Sequence, residues 1–340
     1  MNHSLSQPEA TYRATYRGST IVLAHANERV SQPVAERMAQ DIDWMRKGDI
    51  DVRLHTMHQS ARRELARYIP SEVFAEEDRS AHLQDIPAMV RGITAEKEKA
   101  IEELIVLSKM AGLRNGRRNI MPLLSDTKID AMKSTHPEQA DLLSAVEEGL
   151  TKTPKIVFTQ PQFLGDEIRS VTGKGTMCFN RKATTYGPLY ARETPIFMEN
   201  YHRNVADGTF RERDTAELEK TRDEHHGIRA GRSLIAGFSL TPRDKERLSL
   251  ELVWGASHGG DLGSLILDHA TQEAARSSFY AMTVRDAVAK IFASYPGMKN
   301  CGRVSDLQKS GEIEHYAPEH AQYDTVHRDP HFFWHQGRSN

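Results

Sequence analysis

The run His258-Gly259-Gly260-Asp261-Leu262-Gly263-Ser264 is the part of the chain best suited to chemistry. Arg247 to Trp254, just before it, reads as a strand. After it, Leu265, Ile266, Leu267 and Ala270 give an apolar face to a helix running from Ser264 to about Arg276. A strand, a glycine-rich turn and a helix can hold a diphosphate. Free N–H groups and the positive end of the helix dipole attract the anion, and glycine lets the backbone come close. A second strand, Ser278 to Val284, and a second helix, Asp286 to about Ser294, follow directly.

Two well-known phosphate-binding patterns are excluded. The G-x-G-x-x-G spacing of dinucleotide sites is missing, as is the acidic residue that would hold a ribose, and no Gly-Lys-Ser/Thr follows the turn. Cys178 and Cys301 lie too far apart for a metal spacing or a disulfide framework, and Cys301 reads as a packed thiol. His315, His320, His327, His331 and His335 crowd the last stretch. His331 and His335 would share one helix face as a metal pair, but Phe332-Phe333-Trp334 between them reads as a docking segment. With no His-Glu-x-x-His anywhere, no metal is assigned.

The elements that must position these residues come in two groups. Ser19 to Ala24 reads as a strand. Val34 to Arg46 reads as a helix opened by Pro33 and stopped by Gly48, and Ile50 to Leu54 as a second strand. This β-α-β order implies a parallel sheet. Thr94 to Gly112 reads as a helix with Ile101, Leu104, Ile105, Leu107 and Met110 as its stripe; Pro137 to Gly149 is another, and Lys155 to Thr159 a strand. Residues 181–208, rich in turn dipeptides, read as linker. Phe210 to Arg213 reads as a strand, Asp214 to Glu219 as the start of a helix, and Ser233 to Leu240 as a strand forming a hairpin-like pair with 247–254.

The 340 residues suggest two domains, and 45 basic against 47 acidic residues leave a net charge of −2, with no field for nucleic acid. The polar Met1 to Glu9 and the absence of a long apolar run imply neither a signal peptide nor a membrane span, so a cytoplasmic protein is expected.

The order strand, glycine turn, helix, strand, helix resembles the acyl-CoA site of the GCN5-related N-acetyltransferase (GNAT) superfamily. Its Gln/Arg-x-x-Gly-x-Gly/Ala motif falls here on His258, Asp261 and Gly263, of which only Gly263 matches. An aspartate beside a diphosphate is repulsive unless its side chain turns away. Phe210-Arg211-Glu212-Arg213-Asp214-Thr215, Met282-Thr283-Val284-Arg285 and Ile291 to Met298 are similar to segments of the acetyltransferase domain of N-acetylglutamate synthases. Tyr16 to Leu23, Ala39 to Met45, Lys155 to Thr159 and the Gly173-to-Met177 exit resemble the amino-acid kinase-like domain of the same family. The Lys-x-Gly-Gly and the Gly triplet of active kinases are replaced by Leu23-Ala24-His25-Ala26 and Leu54-His55-Thr56-Met57-His58, so phosphate cannot be wrapped.

The resemblance implies an α/β protein: a shortened, degenerate amino-acid kinase-like parallel-sheet domain (1–180), a linker (181–208), a GNAT-fold mixed-sheet domain (209–316) and an aromatic, His-rich tail (317–340). It implies acetyl-CoA as donor, with the pyrophosphate at His258, Gly259, Gly260, Asp261, Leu262, Gly263 and Ser264. Backbone N–H groups near Val253, Trp254 and Gly255 would polarise the thioester. Arg285 and Arg211, with Arg213 competing for the latter role, would hold a carboxylate of an amino-acid acceptor, glutamate or a relative. Tyr295, after the last helix, or Tyr280, which alternates on a strand and also reads as core, would return a proton to the thiolate. The first domain would serve as scaffold and homo-oligomer contact. The competing reading is a catalytically silent regulatory module that keeps both folds, and Asp261 and the lost glycines favour it.

Overall fold

The computed structural model describes residues 7–75, 85–96, 100–115, 119–169, 174–207, 210, 212–221, 224–255, 260–274, 277–323, 325 and 329–337. The chain is α/β and divides into two compact units, Met1–Thr185 with Arg229–Ser233, and Tyr186–Ile228 with Leu234–Asn340.

The first unit runs α1 (Gln7–Tyr16), β1 (Thr20–His25), α2 (Gln32–Arg46), β2 (Asp51–Thr56), α3 (Gln59–Leu65), α4 (Ile86–Thr94), β3 (Ile101–Leu107), β4 (Leu123–Ser125), α5 (Asp126–Thr135), α6 (Ala140–Gly149), β5 (Lys155–Thr159), α7 (Leu164–Arg169) and β6 (Thr176–Phe179). Its six strands lie in the order β2-β1-β3-β5-β6-β4. Pairing is parallel except between β5 and β6. Helices cover both faces, so strand residues alternate between two apolar cores. Ile21, Leu23, Ile105 and Leu107 enter one, while Val22, Ala24, Leu104 and Val106 enter the other.

That two-sided burial explains a misreading. The expected helix over Thr94 to Gly112 is instead the last residue of α4 followed by the central strand β3. A strand buried on both faces is apolar at nearly every position, so its run also satisfies a helical stripe.

The second sheet has seven strands in the order β12-β13-β11-β10-β9-β8-β7. In chain order its elements are β7 (Thr184–Pro188), α8 (Thr194–Ala206), α9 (Thr215–Lys220), β8 (His225–Ala230), β9 (Ser233–Pro242), β10 (Arg247–Gly255), α10 (Gly260–Ala274), β11 (Ser278–Thr283), α11 (Asp286–Ser294), β12 (Met298–Arg303), α12 (Val304–Ser310), α13 (Ile313–Tyr316) and β13 (His331–His335). The β10–β11 pair is parallel, while β9–β10, β11–β13 and β12–β13 are antiparallel.

Two expected boundaries differ. Residues 181–208, read as linker, hold β7 and α8, and α8 buries Phe197, Asn200 and Tyr201. The stretch read as a tail supplies β13, inserted between β11 and β12. Phe332 and Phe333 are fully buried because they lie inside the sheet. His331 and His335 therefore sit on a strand, about 13 Å apart along it, too far to share one metal ion. His331 Nε2 lies 3.2 Å from Asp286 Oδ1, and His335 stacks on Phe279. Among the described residues no cluster of His, Cys, Asp or Glu could hold a metal. The described residues of 210–213 form no strand.

At the carboxyl end of β1, His25 is wholly buried, and neither ring nitrogen has a hydrogen-bond partner. Burial, with a contribution from His58, lowers its pKa to about 4. Burial, with Arg53 and Arg62, lowers that of His55 to about 4 as well. The unfolded chain thus binds more protons than the folded one between about pH 6.5 and 4, and stability falls as pH drops through that window. Each histidine contributes up to about 3 kcal/mol to the loss. Urea unfolding followed from pH 7.5 to 4.5 should show this decline, and His25→Gln should flatten it.

Candidate active site

The site begins with a break in β10. Arg247, Leu248, Ser249 and Leu250 pair in parallel with Ser278, Phe279, Tyr280 and Ala281 of β11, and the pairing ends there. On the other side, the register with β9 shifts between Glu251 and Trp254, and neither Leu252 nor Val253 has a ladder partner. Leu252 sits at φ 47°, a left-handed conformation that costs a non-glycine residue roughly 1–2 kcal/mol. A bulge of this kind leaves residues unpaired and re-aims the strand.

Apolar burial holds the bulge in place. Leu252 and Trp254 join Leu189, Phe197, Tyr201, Leu218 and Leu234 in one core. Gly237, the β9 partner of Trp254, leaves room for the indole, since a Cβ there would lie 2.6–2.7 Å from the ring. Because β10 and β11 run in the same direction, α10 and α11, which follow them, both start at the same end of the pair.

A cleft of about 450 Å³ opens beside the break. Arg213, Arg243, Glu251, Tyr280 and His320 supply its polar wall, and Leu252, Val253, Val288 and Phe292 are among its apolar lining. Arg213 Nη2 donates to Glu251 Oε2 at 2.5 Å, Arg243 Nη2 donates to Oε1, and Ser249 Oγ donates to Oε1 at 2.8 Å. The Arg213 peptide N–H is held by the Tyr201 hydroxyl at 2.6 Å, which ties the loop to α8. The Tyr280 hydroxyl donates to Glu319 Oε1 at 2.5 Å and lies 3.0 Å from His320 Nε2. Arg243 Nε stands 3.8 Å from Glu319 Oε1 and links the two halves.

Arg213, Arg243, Glu212 and Glu251 thus line one cleft, with Glu319 hydrogen-bonded behind Tyr280. Burial alone would raise the pKa of Glu251, but Arg213, Arg243 and Ser249 outweigh it and hold the carboxyl below its usual range. Burial and the bond to Glu319 push the Tyr280 phenol well up. Its residue is 1% exposed, so it keeps its proton and acts as a donor. Arg243 is raised, because its carboxylate neighbours overcome the burial that would lower it.

The residues expected from the sequence are not all brought together. Val253, Arg213 and Tyr280 line the cleft. Trp254 is buried in the α8 core and Gly255 ends β10. Tyr295 stands apart from the cleft lining, and its hydroxyl donates to Asp268 of α10 at 2.9 Å. Arg285 occupies the cap position of α11, with Nη2 3.6 Å from Asp207 Oδ2, and is also absent from the lining. Gly260 opens α10, and Leu262 is buried. Gly263 faces α11, where a Cβ would lie 2.9 Å from Ile291 Cγ2, so helix packing accounts for it. Ser264 lies in the first turns of α10. Arg211, His258 and Gly259, and the side chain of Asp261, lie outside the described residues.

Sequence reasoning missed Arg243, Ser249, Glu251, Glu319 and His320. One signal was present: Ser249 and Glu251 are the polar residues at alternate positions in Leu248 to Trp254, otherwise wholly apolar.

The sequence matches no protein-family model and no curated protein. In structure, the chain is similar over 98% of its length to N-acetylglutamate synthase from Neisseria gonorrhoeae complexed with coenzyme A and N-acetyl-glutamate, with 98% of that chain covered, 13% identity and a TM-score of 0.44. The structure of that synthase with coenzyme A and L-arginine gives the same identity and coverage and a TM-score of 0.46. An N-acetyltransferase from Staphylococcus aureus Mu50 matches over 45% of this chain and 97% of its own, at 13% identity and a TM-score of 0.32.

Gly237→Ala should destabilise the fold by about 2 kcal/mol, since the added methyl meets a buried indole that cannot move aside. Thermal unfolding checks this, and Gly187→Ala, where a Cβ meets nothing within 4 Å, is the control.

Proposed function

We propose that the protein transfers an acyl group from acyl-coenzyme A directly to the amino group of a small acceptor. The observation that carries this reading is the break in β10. It leaves Leu252 and Val253 without ladder partners at the wall of a cleft that also holds a proton-handling network. A thioester carbonyl laid in the gap between β10 and β11 can accept from the N–H of Val253, which favours the oxyanion over the ground-state carbonyl. The diphosphate would then fall at the shared helix-start end, at the positive end of the α10 dipole. Asp261 lies in the first turn of α10 and opposes the diphosphate charge unless its side chain turns outward.

The amine must shed a proton before it attacks. Glu251 is poorly suited to take it, because both of its oxygens are occupied by guanidinium donors and it is held ionised. Glu319 accepts a hydrogen bond from Tyr280, has only a more distant Arg243 beside it, and is the better acceptor. As the C–S bond breaks, Tyr280 passes its proton to the departing thiolate and regains one from Glu319, which took it from the amine.

The first unit is read as a scaffold that does not transfer phosphate, with homo-oligomerisation through it as the expected assembly, to be checked by light scattering. No helix among the described residues is long and apolar enough to cross a membrane.

Thiol release from acetyl-CoA over a panel of amines tests the reading. Tyr280→Phe should lower kcat at least about 100-fold, as expected for loss of a positioned acid. Tyr295→Phe should stay close to wild type. The reverse order would move the acid to α11.

A further inference from the structure

Two arginines facing one cleft ordinarily suggest a ligand carboxylate. Here that place is taken by the chain itself. Glu251 points its carboxylate between Arg213 and Arg243, and Ser249 occupies one remaining acceptor direction. Its side chain is only 15% exposed, so the group forms part of the wall. The strand puts it there: Ser249, paired with Tyr280, and Glu251, two residues on, line the same cleft.

We propose that Glu251 is a specificity residue, an internal carboxylate that fills the two-arginine position and restricts the acceptor to amines with a neutral or cationic body. Glu251 engages both Arg213 and Arg243, Glu319 stands 3.8 Å from Arg243, and Glu212 adds a further carboxylate to the cleft lining. A dicarboxylic amino acid would bring a further negative charge against Glu251, and both arginines that line the cleft among the described residues are already engaged by it; like charge at short range selects against such an acceptor. A neutral or cationic amine meets Tyr280 and His320 instead, with Glu319 hydrogen-bonded to the Tyr280 hydroxyl. This proposal departs from the glutamate acceptor expected from the sequence. Of the arginines expected to hold its carboxylates, Arg213 is bound to Glu251 and Arg285 to Asp207, while Arg211 lies outside the described residues.

The statement about acceptors rests on the acyl-transfer reading above, but the statement about the arginine pair does not. The test therefore uses glutarate, a dicarboxylate with no amine, titrated calorimetrically against the full chain. Wild type should show no saturable binding at 10 mM or below, on the order of weak ion pairing. Glu251→Gln keeps the shape, removes the charge and should bind glutarate at least about tenfold more tightly, one decade being the smallest change that assigns the site. Adding Arg243→Met to Glu251→Gln should abolish that gain. Wild type binding glutarate as well as Glu251→Gln would overturn the proposal.

If Glu251→Gln does not fold, wild type alone decides, through thiol release with glutamate, glutamine and putrescine. Glutamate should be the poorest acceptor by about tenfold or more in kcat/KM. Glutamate equalling or exceeding the other two overturns the proposal. Absence of turnover with every amine counts against the acyl-transfer reading, and the arginine pair is then decided by wild type alone: saturable glutarate binding at about 10 mM or below overturns the proposal, and its absence supports it.

Discussion

The second unit depends on a local failure of hydrogen bonding. A strand in mid-sheet normally satisfies every backbone group on both sides. β10 does so up to Leu250 and then stops, with Leu252 forced into a left-handed conformation and Val253 left out of both ladders. Such an arrangement persists only where the surroundings impose it. Here they do so through the indole of Trp254, seated against a glycine, and through Leu252, packed among the aromatic residues of α8. Apolar packing on one face of the sheet thus sustains an unpaired backbone on the other, and the cleft follows.

The electrostatics of the cleft follow from strand alternation. Ser249 and Glu251 line the cleft from a strand whose residues from Leu248 to Trp254 are otherwise apolar. Burying Glu251 would be costly without partners, and Arg213 and Arg243 come from the loops on either side to supply them. A second carboxylate, Glu319, lies outside that clamp and holds the phenol of Tyr280. The two carboxylates have different partners and hence different chemistry: one is fixed as a charge, the other is positioned to exchange a proton.

Much of this order was legible in the sequence. The helix Asp286–Ser294 and the strands at 155–159, 233–242, 247–255 and 278–283 lie where periodicity and turn residues put them. The failures have physical causes. β3 is buried on both faces, so its unbroken apolar run satisfied a helical template. β13 is only five residues long and pairs with strands nearly thirty and fifty residues earlier in the chain, which no local window reveals. Gly263 was read as a ligand contact, and the structure adds a packing constraint that the sequence did not show, since α11 passes close by. Arg285 and Tyr295 carry suitable chemistry at suitable spacing, yet Asp207 and Asp268 engage them away from the cleft. Conversely, Arg243, Glu319 and His320 come from loops and turns whose approach is tertiary. Residue type can nominate a site residue, but only the course of the chain decides which ones meet.

The account stands or falls on whether the unpaired backbone at the bulge receives an acyl carbonyl. The most direct measurement is the amide resonance of Val253 in ¹⁵N-labelled protein, titrated in parallel with acetyl-CoA and with free CoA. Acetyl-CoA should shift the Val253 amide downfield, as a new hydrogen bond forms to the thioester oxygen, whereas free CoA, which lacks that oxygen, should leave it nearly unmoved. Equal shifts with both ligands, or a Val253 amide indifferent to acetyl-CoA at saturation, would contradict the assignment of β10 as the acyl-binding strand.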